Sequence, residues 1–77
     1  MFEKLFKTRI DVIELDNPGV EGDFHLGGFW VRAVPRVGER LVIENWYDGA
    51  VVEVRHVYAP GGEVREVLVY VEKGRER

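Results

Sequence analysis

The chain has 77 residues, 45% of them hydrophobic and 32% charged, with a formal net charge of −3 and no cysteine. That length supports one small domain over residues 1–77, since a second would lack the residues to close a core of its own. Without cysteine there is no disulfide, no thiolate zinc site and no thiol nucleophile, and the acidic balance has the wrong sign for a protein that coats nucleic acid through its phosphates.

No run approaches the ~18 apolar residues that span a bilayer. The segment from Met1 to Lys7 lacks the apolar stretch and small-residue cleavage site of a signal peptide. A soluble, cytoplasmic chain with no membrane partner is therefore expected. Fourteen residues are valine, whose branched Cβ suits a pleated strand. Eight arginines stand against three lysines, and serine and glutamine are absent. This is a thermophile-like composition, for which codon bias is an equally good explanation.

Phe2, Leu5 and Phe6 have the spacing of one helical turn, or they extend the first strand. That strand is expected over residues 7–15 and is stopped by Asp16-Asn17-Pro18-Gly19. A second runs over 23–34, with a bulge, bend or close backbone approach at Gly27-Gly28. A third (40–47) and a fourth (50–58) flank Asp48-Gly49, a pair that favours a two-residue type I′ hairpin turn. In that register Tyr47 faces Ala50, Ile43 faces Val54, and Leu41 faces His56. Leu41, Ile43, Val52 and Val54 then share the buried face, and Glu44 meets Glu53 on the wet one. Ala59-Pro60-Gly61-Gly62 turns the chain into a fifth strand over 63–73, where Val67, Val69 and Val71 continue the valine face of a three-strand meander. Residues 73–77 should fray. Five short strands with tight connections predict an all-β, five-stranded antiparallel barrel of SH3-like form. An OB-like barrel comes second, because the Asp48-Gly49 turn leaves no room for the longer connection of that fold.

Val34-Pro35-Arg36-Val37-Gly38-Glu39, followed by Val51, Val54 and His56 in order, resembles small SH3-like barrel proteins of bacteria and phages. The resemblance covers residues 34–71. Its motifs are structural, a proline-glycine turn leading into alternating strands. It implies the fold and transfers no catalytic residue.

The chemistry available is sparse. With neither serine nor cysteine, the commonest covalent nucleophiles are missing, and Thr8 is the only threonine. Gly27-Gly28 fits no phosphate-binding fingerprint. His25 and His56 lack a metal-ligand spacing, and the simpler reading of His56 is a hydrogen-bonded residue at the end of a core face. The scattered glutamates read as the wet faces of strands. No enzyme, metal or cofactor is expected.

The aromatics are more informative. Phe29 and Trp30 are adjacent on a strand and so point to opposite faces, as do Trp46 and Tyr47. At least one of each pair should be outward, unless Trp46 folds over the barrel mouth and Trp30 fills the core. Arg32, Arg36, Arg40 and Arg55 could form a basic patch, with Arg40 close to Arg55 in the assumed register, though pairing with Glu44 and Glu53 is the simpler account. These residues lead to three expectations. The first is a non-catalytic protein-interaction module, a small regulator or inhibitor of bacterial or phage origin that binds a host protein or its own copy through Phe29, Trp30, Arg40, Trp46, Tyr47 and Arg55. The second is a barrel that stacks single-stranded nucleic acid or nucleotides on the same aromatics, which the net charge disfavours. The third is a small enzyme or metal protein centred on the two histidines.

Overall fold

The computed structural model describes residues 7–15 and 23–73. The expected N-terminal helical turn, the turn at Asp16–Gly19 and the tail at 74–77 lie outside these residues. Within them the chain is all-β: β1 (Thr8–Glu14), β2 (Phe24–Val31), β3 (Arg40–Ile43), β4 (Tyr47–Tyr58) and β5 (Val64–Lys73). Lys73 closes β5 and is not part of a tail.

The strands form one curled sheet in the order β2-β1-β5-β4-β3, a half-barrel. The sheet is mixed, which corrects the antiparallel expectation. β1 runs parallel to β5, with Val12 beside Val69 and Glu14 beside Val71. The other pairs are antiparallel. Ile10 and Val12 bury one face of β1, while Arg9 and Asp11 share the other with Ile13, and its two backbone edges are both paired. β1 takes β2 on one side and β5 on the other.

The expected meander β3-β4-β5 is present, and Val67, Val69 and Val71 are its buried face, each no more than 1% exposed. Its registers differ from expectation. Asp48 and Gly49 are not a turn. They lie inside β4, and the chain reverses at Glu44-Asn45-Trp46, closed by the Trp46 N–H donating to the Ile43 carbonyl at 3.1 Å. Ile43 therefore faces Tyr47, and Leu41 faces Gly49. Along β5, Val54 faces Val69 and His56 faces Val67.

A side-chain fit explains the shift. Tyr47, Gly49 and Val51 alternate onto the inner face, and all three are buried. A Cβ at Gly49 would overlap the Tyr47 hydroxyl and come within 2.8 Å of the Glu72 carbonyl oxygen. Gly49 is the bare floor on which the Tyr47 ring lies, so its glycine serves close packing rather than a turn. Val51, at 1% exposure, takes the core place expected for Val52, which sits in a β-bulge between Val51 and Glu53.

The bulge expected at Gly27-Gly28 is found. β2 gains one residue between the Val12–Gly27 and Ile13–His25 pairs, and Gly27 has φ +155°. The close approach is also there, because the Arg9 guanidinium lies over Gly28 where a Cβ would stand. These bulges, with another near Val57, bend the strands and give the sheet its curl. The turn before β5 is as expected, with the Gly62 N–H on the Ala59 carbonyl at 2.9 Å and Gly62 at φ +97°.

Candidate functional site

A half-barrel leaves two strand edges without a neighbour, β2 and β3 among the described residues. Between them opens a groove of about 770 Å³, within the size range of ligand pockets, roughly 300–1,000 Å³. Its apolar lining includes Ile10 and Val12 of β1, Phe29 of β2, Val34, and Leu41 and Ile43 of β3. Trp30, Arg36, Glu44 and Trp46 also border it.

The lining is held in place by local chemistry. Val34 to Glu39 is fixed by a turn in which the Glu39 N–H donates to the Arg36 carbonyl at 3.0 Å. Gly38 sits third in that turn at φ +96°, a conformation that suits glycine. The Glu39 carboxylate accepts the Arg36 backbone N–H at 2.8 Å. Val51 then exchanges bonds with the last two residues of the segment, donating to the Glu39 carbonyl and accepting from the Gly38 N–H, each at 2.8 Å.

At the other end Glu44 has φ +47°, the one positive φ at a non-glycine residue among those described. It is the first central residue of the reversal, so the backbone is strained where it presents Trp46. Trp46 is 53% exposed at the groove mouth, while its neighbour Tyr47 is 5% exposed in the core. On β2, Trp30 is 45% exposed and Phe29 is half-buried against the core. Both aromatic pairs therefore split as strand geometry requires. The alternative that placed Trp30 in the core is corrected, because alternation gives the inner place to Phe29. The two outward tryptophans border one groove.

Of the expected interface residues, Phe29, Trp30, Arg40 and Trp46 meet at this groove. Tyr47 does not. Its hydroxyl is buried without a hydrogen-bond partner. Burial, followed by the nearby charges of Glu14, Asp48 and Glu72, pushes its acidity constant up to about 12. Arg55 does not reach the groove either, since it lies opposite Leu68 on the outer face. Its guanidinium binds Glu53 at 2.9 Å and lies over the Tyr70 ring, 5.0 Å from the centroid. Arg40 and Arg55 are not neighbours, as the assumed hairpin register required. Arg40 pairs at Ala50, five residues or about 17 Å along β4 from Arg55. Arg40 binds Asp48 instead, holding that carboxyl below its usual range.

His25 and His56 are not brought together, because β1 and β5 stand between their strands. His25 Nε2 is 3.1 Å from Asp11 Oδ1, which also receives Arg9 at 3.4 Å. His56 is exposed and stacks on Tyr58, so the expected place at the end of a core face becomes an open surface. Among the described residues no three His, Asp or Glu side chains gather as a metal site, and no helix is long and apolar enough to cross a membrane.

The sequence reading missed the aliphatic floor of the groove. Leu41 and Ile43 read as ordinary core residues, and only the sheet order shows that they stand beside an unpaired edge and stay half-buried, above the fully buried Ile10 and Val12. Set against known proteins, the chain matches no family model, no curated protein and no solved structure.

Proposed function

We propose that this protein is a non-catalytic interaction module that recognises another protein through the groove between β2 and β3. The supporting observation is the groove itself: a half-buried apolar lining of Phe29, Val34, Leu41 and Ile43 beside an unclosed sheet edge, with two exposed tryptophans at its mouth. Tryptophan supplies large contact area at little entropic cost and is enriched among residues that dominate binding energy. An apolar opening of this size on a small chain fits an interaction site better than an accident of packing. The likeness of residues 34–71 to small SH3-like barrel proteins supports the same reading, although the parallel β1–β5 pair departs from an antiparallel barrel. A regulator or inhibitor acting in the cytoplasm on a host protein fits a short acidic chain of this kind.

The test compares affinity-immobilised wild-type protein with a Trp30→Ala/Trp46→Ala double variant of similar melting temperature, in extract of the native host. The reading expects a defined protein retained by wild type and lost from the variant. Equal retention by both, or none by either, would contradict it.

A further inference from the structure

The arginines separate into two groups. Arg9, Arg40 and Arg55 each hold a carboxylate, from Asp11, Asp48 and Glu53. Arg32, Arg36 and Arg65 have no ion-pair partner among the described residues and are exposed, and Arg65 of β5 lies outside the groove. Arg36 borders the groove, and Arg32 stands between Val31 and Ala33, which also border it. From Arg32 to Arg40 there are three arginines and one glutamate, and with Arg40 held by Asp48 the positive charge left on this wall is that of Arg32 and Arg36 against Glu39, with Glu44 farther along the groove.

The β3 edge adds a second element. The Glu39 and Ile43 carbonyls turn toward β4, accepting from Val51 at 2.8 Å and Trp46 at 3.1 Å. Backbone groups of successive strand residues point to opposite sides. The N–H and C=O of Val42 are therefore directed at the open edge, away from β4. An extended chain lying there would pair with those groups and drop alternate side chains onto the apolar floor, the mode of recognition by strand addition.

Resting on the groove as the site of protein recognition, we infer that its occupant is an extended segment of a partner protein in which aliphatic residues alternate with acidic ones, pairing with the β3 edge and placing its carboxylates against Arg32 and Arg36. An unpaired guanidinium recognises carboxylate through two parallel hydrogen bonds. A floor of branched aliphatic side chains suits Val, Ile or Leu. Nucleobases would stack on Trp30 and Trp46 instead, and the oligonucleotide probe tests that alternative.

The experiment uses fluorescein-labelled eight-residue amides in which Ile and Val alternate with Glu, the same peptide with Lys for Glu, and a labelled fifteen-residue thymidine oligonucleotide. Each is titrated with the full chain at low and moderate salt, and anisotropy is read. The inference expects the Glu peptide to bind at least tenfold more tightly than the Lys peptide, and Arg32→Glu/Arg36→Glu to reverse that preference without moving the melting temperature. Because the substituted side chains are exposed, the double variant should fold. A Val42→Pro chain, which removes one edge donor, should bind the Glu peptide at least fivefold more weakly while its circular dichroism is unchanged. If the two peptides bind equally, or the Lys peptide binds better, the acidic occupant is wrong and the groove remains a peptide site. Binding of the oligonucleotide in preference to the peptides, binding of no probe, or a stable dimer in native mass spectrometry that the Glu peptide does not dissociate would each overturn the occupant and the peptide site together.

Discussion

Val69 and Ile43 both point to the inner face of the sheet, yet Val69 is fully buried and Ile43 only half-buried. Val69 stands in β5 with a strand on either side. Ile43 stands in β3 with a strand on one side only. The face is the same, so place in the sheet decides the difference. The β1-β5-β4 side completes its backbone pairing and covers its valines. The β2 and β3 sides carry comparable apolar residues, bordered by tryptophan, and leave them half-buried. Stability resides in the first region, and the second is where we propose recognition. Substitutions in the two should therefore move different observables.

The largest effect is expected at the centre of the closed side. Val69→Asp places an unpaired charge among fully buried valines, and the chain should lose its cooperative thermal transition. The milder Val69→Ala should cost about 2 kcal/mol and lower the melting temperature by about 10 °C. A melting temperature unchanged by Val69→Ala would move the core elsewhere.

Gly49→Ala comes next. The new methyl overlaps the Tyr47 hydroxyl and meets the Glu72 backbone oxygen, which has nowhere to go, and overpacking of this sort costs on the order of 1–3 kcal/mol. Were Gly49 a turn residue on the surface, the loss would be far smaller, so chemical denaturation discriminates the two registers. Tyr47 supplies a pH test of the same packing. Its acidity constant is pushed up from 10.0 to about 12, with burial the larger cause. The folded state holds that proton more tightly than the unfolded one. The stabilisation is complete below pH 10 and is lost as pH rises from 10 through 12. Tyr47→Phe should flatten this decline without lowering stability at pH 7, because the hydroxyl it removes has no partner.

On the open side, Glu44→Gly relieves the positive φ and should stabilise the chain by about 0.5–1 kcal/mol. It should also loosen the presentation of Trp46, so a gain in melting temperature accompanied by weaker partner binding is the signature of strain held for function. The smallest stability effect is expected from Trp46→Ala, less than about 0.5 kcal/mol at an exposed site. Its consequence should be confined to binding. A Trp46→Ala chain that melts several degrees lower would place this tryptophan in the structural region and weaken the division.

Much of the closed side could be read from the chain. Val67, Val69 and Val71 alternate with polar and larger residues, and that period of two survives any tertiary context that covers one face. Pro60-Gly61-Gly62 and Gly27-Gly28 act through backbone conformation, which is local and so visible in sequence. The Phe29-Trp30 and Trp46-Tyr47 pairs had to split, because adjacent strand residues cannot share a face. Partner choice between distant segments was not legible. Nothing in residues 8–14 says that the neighbour will be β5 and parallel. That depends on which strand edge the rest of the sheet leaves free to pair with β1. The Asp48-Gly49 turn failed for a related reason. The pair has real turn propensity, but the ring of Tyr47 needs a bare floor two residues on, and packing prevailed. The competing signal was present in the alternation of Tyr47, Gly49 and Val51. The groove was hidden most fully, since no property of Leu41 or Ile43 reveals that the sheet stops short of closure.

The division between a closed, stabilising side and an open, recognising side is tested most directly by a nuclear magnetic resonance titration of the full chain, following backbone amide and tryptophan indole signals while the Ile/Val-Glu peptide is added. The account predicts shifts concentrated at Arg32, Arg36, Arg40, Val42 and the two tryptophan indoles, with Val67, Val69 and Val71 nearly still. Shifts centred on Glu53, Arg55 and Tyr70 of the outer face, or a spectrum that does not change, would contradict it.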